Sequence, residues 1–259
     1  MRLAVHISGD GDRTAVLIHG MMSDHRAWHR VAAELQDAGY RVVAVDLAGH
    51  GASPRSRRYS PRSWADDVIE TLAPVVEGTP DLIMGHSLGG LVASLVAERL
   101  GARAAVYVDP AFAFPRGVRG AALKAMFTLA PRPSAWTLRK LNPRWGDDDV
   151  ALERATLRLW DKRTILGFVN TRPLRSPRTL VAPSLVILAE RSLLISARDV
   201  ERMRRDGMTV QVMRGAGHTV FRDDHGAFMD LVNDWLERHV PAATAEPRRP
   251  SGDDLAATT

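Results

Sequence analysis

The chain places one serine between glycines at the point where an apolar run gives way to a helical pattern. Gly85, Ser87 and Gly89 form the pattern Gly-x-Ser-x-Gly directly after the apolar residues 82–84. A sharp turn from strand to helix lifts such a serine hydroxyl clear of the sheet. It also sets the hydroxyl at a helix N-terminus, where free N–H groups stabilise negative charge. The pattern therefore predicts that Ser87 is a nucleophile.

A serine hydroxyl becomes an effective nucleophile only when a base lies within hydrogen-bond reach. Nine histidines are candidates for this base, and His218 is favoured because it follows the last apolar run, in the segment RGAGHTVF. Gly215 and Gly217 leave that loop free to curl over the carboxyl edge of the sheet, where open α/β sheets bind their ligands. His86, inside the serine turn, is expected to point away from Ser87.

Seven short apolar runs alternate with segments of helical period. The runs cover residues 3–7, 15–18, 42–45, 82–84, 104–108, 185–188 and 210–213. Their nearly continuous apolar character is typical of strands that are covered on both faces. The intervening helices start or stop at signals such as Ser60-Pro61 and Gly39. The pattern predicts an α/β fold with a mostly parallel central sheet, helices on both faces and a hairpin formed by the first two strands.

The alternation stops after residue 108 and resumes near residue 185. Helical patterns at residues 121–129 and 149–160, punctuated by prolines, predict an inserted helical cap at residues 111–179 on a core of residues 1–110 and 180–240. The aromatic residues of the cap either line a substrate pocket or pack the cap against itself; they are Phe112, Phe114, Phe127, Trp136, Trp145 and Trp160. Residues 241–259 hold too little apolar surface to pack and are predicted to be disordered.

Composition limits the remaining classes of protein. The 259 residues are 45% hydrophobic, which suits one globular domain. The absence of cysteine excludes disulfides, thiolate zinc sites and cysteine nucleophiles. No segment approaches the roughly 18 apolar residues of a membrane span, and the N-terminus lacks a signal-peptide core, so we expect a cytoplasmic protein with no membrane partner. The net charge of +5 comes with no nucleic-acid-binding motif, and no nucleic-acid partner is expected.

A second group of polar residues follows the second apolar run. Asp24, His25 and His29 include two histidines four residues apart at the start of a helix, a spacing that suits a metal. No third ligand is evident. We therefore assign no metal and no cofactor to the protein and expect these residues to form a polar rim near the site entrance.

Four segments together resemble the α/β-hydrolase family in its lidded esterase, lipase and peroxidase-like branches. They are LIHG (17–20), DLAGHGAS (46–53), GHSLGG (85–90) and GAGH (215–218), and the resemblance covers about residues 1–239. It implies that Ser87 is the nucleophile, that His218 is the base, and that the N–H groups of Met21 and Leu88 form the oxyanion hole. The side chains of Met21 and Met22 would either form the floor of an apolar acyl pocket or pack in the core. A serine at position 87 excludes the branches that use a carboxylate nucleophile.

The acid partner of the histidine departs from the family pattern. The family commonly carries an acid after the strand that here reads SLVILAE, and alignment of that turn puts Ser192 where the aspartate should be. Two carboxylates are alternatives: Glu190 in the same loop, and Asp109 at the end of the apolar run 104–108. Asp109 is preferred because Pro110 fixes the backbone after it and because a carboxylate that ends an apolar strand needs a polar partner such as a histidine N–H.

These residues predict a cofactor-independent serine hydrolase that cleaves a carboxylic ester, thioester or lactone through an acyl-enzyme on Ser87. The expected partner is a small-molecule acyl substrate whose pocket includes Met22, Phe112 and Trp136. Two alternatives remain open: a carbon–carbon bond hydrolase that uses the same residues, and a non-catalytic receptor for small ligands on the same fold. The sequence leaves the oligomeric state open.

Overall fold

The computed structural model describes residues 1–112, 131–169 and 182–240, together with six positions between these ranges. Most of the predicted helix at residues 121–129, the aromatic residues Phe114 and Phe127, and the predicted tail at residues 241–259 lie outside the described residues. In the described part of the chain, no helix is long and apolar enough to cross a membrane.

One sheet of seven strands organises the described residues. The strands are β1 (Val5–Ser8), β2 (Arg13–Ile18), β3 (Tyr40–Val45), β4 (Leu82–His86), β5 (Ala105–Val108), β6 (Ser184–Ala189) and β7 (Thr209–Met213). Their order across the sheet is β1-β3-β2-β4-β5-β6-β7, with β1 antiparallel to β3 and every other pairing parallel. All residues of β4, β5 and β6 are buried, as a sheet covered on both faces requires.

Helices cover the two faces of the sheet. Nine of them are described: α1 (His29–Asp37), α2 (Pro61–Leu72), α3 (Leu88–Leu100), α4 (Ala135–Leu141), α5 (Asp147–Leu159), α6 (Thr164–Val169), α7 (Ala197–Arg205), α8 (Val220–Asp223) and α9 (His225–His239). Trp64 of α2, Val92 of α3 and Met203 of α7 belong to the core on one face. Leu35 of α1 and Phe228 of α9 belong to the core on the other. This arrangement confirms the predicted α/β fold.

Two local signals in the sequence act as predicted. Ser60 caps α2: its side chain accepts a hydrogen bond from the Ser63 N–H, and Pro61 occupies the first helical position. Gly39, which follows α1, adopts a φ of 81°, a conformation that glycine reaches without a steric penalty. The helix therefore ends there and the chain turns into β3.

The predicted hairpin between the first two strands is wrong. Strand β3 lies between β1 and β2 and pairs with both. The glycines of the connection serve close approach to the start of β3: a Cβ atom on Gly9 would lie 2.6 Å from the Tyr40 carbonyl oxygen, and one on Gly11 would lie 2.1 Å from the Gly39 carbonyl oxygen. The Gly-Asp-Gly-Asp segment therefore passes over the start of β3 and does not join two neighbouring strands.

The predicted insertion contains helices α4, α5 and α6 between β5 and β6. Helix α5 corresponds to the pattern at residues 149–160. Its Glu153 forms an ion pair of 2.8 Å with Arg222 of α8. After α5, the Asp161 N–H donates to the Gly49 carbonyl at 2.8 Å, and its carboxylate accepts a hydrogen bond from the Tyr59 hydroxyl at 2.9 Å. These contacts hold the insertion against loops at the carboxyl edge of the sheet.

Candidate active site

Ser87 lies at the turn between β4 and α3. Its φ of 53° and ψ of −116° are a rare conformation for a residue with a side chain. The flanking glycines make the turn possible: a Cβ atom on Gly85 would lie 2.2 Å from the Gly89 carbonyl oxygen, and one on Gly89 would lie 2.2 Å from the Ile18 carbonyl oxygen. The Ser87 N–H donates to the Val108 carbonyl at 2.9 Å. The turn is therefore fixed on both sides by neighbouring strands.

Replacing Gly85 by alanine is expected to lower the free energy of unfolding by about 3 kcal/mol or more, the upper end of ordinary overpacking, because the new methyl group would collide with backbone. Gly226 in α9 is the matched control, since a Cβ atom there would meet no atom within 4 Å. Gly226→Ala should be neutral or stabilising by up to about 1 kcal/mol. Urea unfolding of both variants measures the difference, and similar values for the two would contradict the packing argument.

His218 and Asp109 form a chain of hydrogen bonds that ends at Ser87. The His218 Nε2 lies 2.9 Å from the Ser87 Oγ, and its Nδ1 lies 2.6 Å from the Asp109 Oδ2. Asp109 is almost fully buried, with 1% of its side chain exposed, whereas 47% of the His218 side chain is exposed. The second carboxylate oxygen of Asp109 accepts a hydrogen bond from the Ala189 N–H at 3.3 Å. The structure thus brings together three of the residues that the sequence singled out.

Glu190, the alternative acid, is not part of the chain of hydrogen bonds from Ser87 to Asp109. Both ring nitrogens of His218 already face Ser87 and Asp109, and Glu190 is an exposed residue whose backbone N–H donates to the Ala216 carbonyl. Ser192, which stands where the family pattern expects an acid, accepts hydrogen bonds from the Leu194 and Ile195 N–H groups. The Ser192 side chain therefore stabilises its own turn.

His86 lies behind the His218 ring. The ring centroids are 4.7 Å apart, and the His86 Nε2 lies 2.9 Å from the His218 carbonyl oxygen, so that this nitrogen carries the proton and donates. Burial lowers the pKa of His86 well below its usual value and keeps the ring neutral. Its side chain therefore holds the backbone of His218. Sequence reasoning missed this contact, because the fold brings the two residues together from 132 positions apart.

His19 orients the peptide that precedes Met21. Its Nε2 accepts a hydrogen bond from the Leu47 N–H at 2.9 Å, and its Nδ1 donates to the Gly20 carbonyl at 2.7 Å. Burial lowers the pKa of His19, and the resulting neutral ring has the one donor and one acceptor that these contacts need. In a trans peptide the N–H points opposite to the carbonyl. The Met21 N–H therefore points away from the His19 ring.

Both positions of the predicted oxyanion hole lie close to Ser87 along the chain or across the fold. A Cβ atom on Gly20 would lie 3.2 Å from the Ser87 Cβ, so the chain that leads into Met21 passes directly beside the serine. Leu88 is the first residue of α3, and the N–H groups of the first helical turn have no acceptor within the helix. Leu88 thus follows Ser87 directly with its N–H free of a partner within the helix, and the segment that leads into Met21 passes beside the serine.

The predicted pocket residues are distributed unevenly. Met21 and Met22 pack against a cluster in the insertion formed by Leu157, Trp160 and Ile165. Phe112 is buried in the core of the sheet, where it makes an edge contact with Tyr107 at a centroid distance of 5.4 Å.

Trp136, the third predicted pocket residue, is 69% exposed on α4, and the Lys140 ammonium lies 5.1 Å from its ring centroid. Most of its apolar surface is therefore in contact with water and not with the described residues of the insertion. The sequence pattern of the insertion identified Trp160 among six aromatic residues but gave no reason to rank it above Trp136.

The residues expected to form a polar rim are separated. Asp24 is buried and accepts two hydrogen bonds from the Arg26 guanidinium, whereas His29 is exposed and its Nδ1 donates to the Arg26 carbonyl at 3.1 Å. The third of them, His25, converges with His6 and Asp46, and these three are potential metal ligands among the described residues. The Ser87 site itself consists of a serine hydroxyl, an imidazole and a carboxylate joined by hydrogen bonds.

A serine turn at the carboxyl end of a central strand, on a mostly parallel sheet with one antiparallel edge strand, is the arrangement of α/β hydrolases. The comparison of sequences agrees with this class. Residues 15–231 match the model of the alpha/beta hydrolase family, and the chain belongs to that family.

Relatives with curated sequences include plant esterases and a mycobacterial protein. The chain is 35% identical to Esterase PIR7B of Oryza sativa subsp. japonica over 118 residues, which cover 43% of this chain and 42% of that protein. It is 33% identical to Probable esterase PIR7A of Oryza sativa subsp. indica over 41% of each chain. The matched segment thus spans about two fifths of the rice esterases. An uncharacterized protein of Mycobacterium tuberculosis is 26% identical over 93% of this chain and 80% of its own length.

Solved structures share the fold at low sequence identity. An E-2-(acetamidomethylene)succinate hydrolase superposes with a TM-score of 0.77 at 22% identity and covers 91% of this chain and 95% of its own. The enol-lactonase from Burkholderia xenovorans LB400 superposes with a TM-score of 0.75 at 20% identity and covers 91% and 96%. These similarities support the fold assignment.

Proposed function

We propose that the protein is a serine hydrolase that cleaves a carboxylic ester, thioester or lactone through an acyl-enzyme on Ser87. The observation that carries this proposal is the chain of hydrogen bonds from the Ser87 Oγ through His218 to the buried carboxylate of Asp109. A serine hydroxyl, a base and a group that orients the base are the three parts that nucleophilic catalysis by serine requires.

In the proposed mechanism, the His218 Nε2 takes the proton of Ser87 as the Oγ forms a bond to the substrate carbonyl carbon. The imidazolium then gives that proton to the leaving oxygen or sulfur as the bond to the acyl carbon breaks. Water, deprotonated by the same nitrogen, attacks the acyl carbon; the bond from that carbon to the Ser87 Oγ breaks, the Oγ takes the proton back from His218, and the acid is released. Asp109 accepts a hydrogen bond from the His218 Nδ1–H throughout the reaction and is not itself protonated. This hydrogen bond fixes the tautomer of the ring and stabilises the imidazolium.

The negative charge on the carbonyl oxygen needs donors that are in place before the reaction. The Met21 and Leu88 N–H groups suit this role, because His19 fixes the Gly20 carbonyl and with it the peptide group that carries the Met21 N–H, and because Leu88 is the first residue of helix α3. The N-terminal end of that helix adds the positive end of its dipole. Neither contribution depends on the side chain of Met21 or Leu88.

The surroundings of Met21 and Met22 favour an apolar acyl group. The two methionines pack against Leu157, Trp160 and Ile165 of the insertion, and methionine side chains adapt to ligands of irregular shape. In this proposal the insertion forms the lid of the pocket. Because Thr156 donates to the Met22 carbonyl at 3.3 Å, movement of α5 would be coupled to the floor of the pocket.

The comparisons support an esterase above the alternatives. Two rice relatives carry the name esterase. The receptor alternative depended on a missing acid after β6. Asp109 supplies a carboxylate to His218 from the preceding strand, so that reason no longer applies.

A fluorophosphonate probe tests the proposal. We expect the folded wild-type chain to be labelled stoichiometrically at Ser87, as located by peptide mass spectrometry, because the His218 base activates this hydroxyl. Ser94 on α3 is the matched control: its hydroxyl donates to the Leu91 carbonyl of its own helix, and Ser94→Ala should be labelled as wild type is. An unlabelled Ser87 in a chain with native circular dichroism would refute every mechanism that begins at this serine.

The bond that is cleaved is identified with matched substrates. An ester, a thioester and a lactone with the same apolar acyl chain should be compared, with rapid acid quenching and intact-mass analysis. The expected result is a mass increase by one acyl group in the wild-type chain, located on the peptide that contains Ser87 and absent from the Ser87→Ala variant. Turnover without an acyl-enzyme at any substrate concentration would contradict the covalent route.

A further inference from the structure

Two histidines and an aspartate from three elements converge outside the Ser87 site. His6 lies on β1, His25 opens the short 3-10 helix His25–Trp28, and Asp46 directly follows β3. The His25 Nδ1 lies 2.9 Å from the Asp46 Oδ1, and the His6 Nε2 lies 3.4 Å from the Asp46 Oδ2. One ligand atom from each residue lies within 4.8 Å of the other two.

We propose that His6, His25 and Asp46 bind one divalent transition-metal ion, with zinc as the probe of this site. Two imidazole nitrogens and one carboxylate oxygen favour zinc and its neighbours in the first transition row, whereas magnesium and calcium prefer oxygen ligands alone. Three protein ligands leave a fourth tetrahedral position for water. The site is separate from the hydrogen-bond chain of Ser87, and the proposal does not depend on the catalytic assignment.

The distances suit this chemistry. In a tetrahedral zinc site with bonds of about 2.1 Å, neighbouring ligand atoms are about 3.4 Å apart, which matches the observed separation of the His6 and Asp46 atoms. The His25 and Asp46 atoms are 2.9 Å apart, and an ion would replace the hydrogen bond between them. The His6 and His25 rings stack with centroids 3.2 Å apart and an interplanar angle of 12°. Both rings therefore turn an edge toward the same carboxylate, and a small splay of the two rings would aim both nitrogens at one ion.

The charge and the access of the site also suit a cation. The Asp46 side chain is fully buried, with both oxygens directed at the two imidazole rings. The backbone N–H groups of His25 and Ala52 hold the carboxylate in place at 2.8 and 2.9 Å. His6 and His25 are 38% and 24% exposed, which gives an ion a path from solvent.

Metal binding at this position would connect three parts of the fold. His25 follows Met21 by four residues, so a bound ion would tie the end of the Met21 segment to β1 and to the loop after β3. An ion that binds the folded chain and not the unfolded chain raises the melting temperature. We therefore expect zinc to stabilise the protein against heat.

Calorimetric titration of the untagged, chelator-treated full chain with zinc tests the site. The expected result is saturable binding of one ion that His6→Gln and His25→Gln each weaken by more than about tenfold, the lower end of what even outer-shell changes cost. His29→Gln is the matched control, because His29 is an exposed histidine on the next turn. Failure to saturate, or equal weakening by all three variants, would overturn the proposal.

A measurement on the wild-type chain removes any dependence on the folding of the variants. Diethyl pyrocarbonate modifies accessible imidazoles, and peptide mass spectrometry locates the adducts. Zinc should protect His6 and His25 while His29 reacts at its original rate. Equal reaction of His6 and His25 with and without zinc would also overturn the proposal.

Discussion

Replacing Ser87 by alanine is expected to lower the turnover of an ester by about a million-fold, and replacing His218 by alanine should cost a similar factor, because a nucleophile and its base act as a unit. The structural reason is the 2.9 Å contact between the His218 Nε2 and the Ser87 Oγ. Without the hydroxyl there is no covalent intermediate, and without the imidazole the hydroxyl keeps its proton. Steady-state rates on the best substrate of the ester panel measure the effect.

The double variant decides whether the two residues cooperate. Ser87→Ala with His218→Ala should be scarcely slower than either single variant, since the residual rate comes from binding and from the oxyanion donors. Ser94→Ala, about two helical turns further along α3, should retain wild-type turnover and shows that loss of a hydroxyl from this helix is harmless in itself. Losses that multiply in the double variant would indicate that Ser87 and His218 act independently.

The strands of the sheet were predictable because each one is a short apolar run that can be recognised without knowledge of its neighbours. Runs such as residues 82–84 and 185–188 are apolar without alternation, which indicates burial on both faces before any partner is known. The pairing of the strands was not predictable from the same information. The segment between β1 and β2 has the composition of a hairpin turn. Its glycines, however, let the backbone lie close to Gly39 and Tyr40, which are far from the segment along the sequence.

The contact between Ser87 and His218 was predictable for a different reason. The glycines around Ser87 and before His218 constrain the backbone, and such constraints are visible in a single segment. Contacts across the fold were not visible. His86 supports the His218 carbonyl from a distant position, and His6 meets His25 and Asp46 only because β1 pairs with β3. The sequence showed His25 beside His29, whereas the structure turns it toward Asp46.

The pocket was the least predictable part of the site. Six aromatic residues of the insertion had equivalent sequence contexts, because an aromatic side chain on a short helix suits either a pocket or the interior of the insertion. The structure buries Trp160 against Leu157 and Ile165 and exposes Trp136. The difference arises from how α4 and α5 pack on the core, which is a property of the tertiary structure.

The acid that orients His218 gives the second large prediction. Asp109→Asn is expected to lower turnover by about 10⁴-fold with the fold retained. The asparagine keeps the size of the side chain and the carbonyl that can accept from the Ala189 N–H. Its amide group, however, can donate to the His218 Nδ1, which favours the tautomer with the proton on Nε2. That tautomer cannot accept the proton of Ser87, and a neutral amide cannot stabilise the imidazolium.

Glu190→Gln is the matched control for this change, because it also converts a carboxylate to an amide at the carboxyl edge of the sheet. Glu190 is exposed, and both nitrogens of the His218 ring have other partners. The turnover of the Glu190→Gln variant should therefore stay close to that of the wild type. Both variants should be assayed on the same ester, with circular dichroism and urea unfolding as tests of the fold. A turnover of Asp109→Asn within about tenfold of wild type is far from the loss expected of a triad acid. It would show that the 2.6 Å contact between Asp109 and His218 does not control the tautomer of the ring. A larger loss in Glu190→Gln would assign the role of the acid to Glu190.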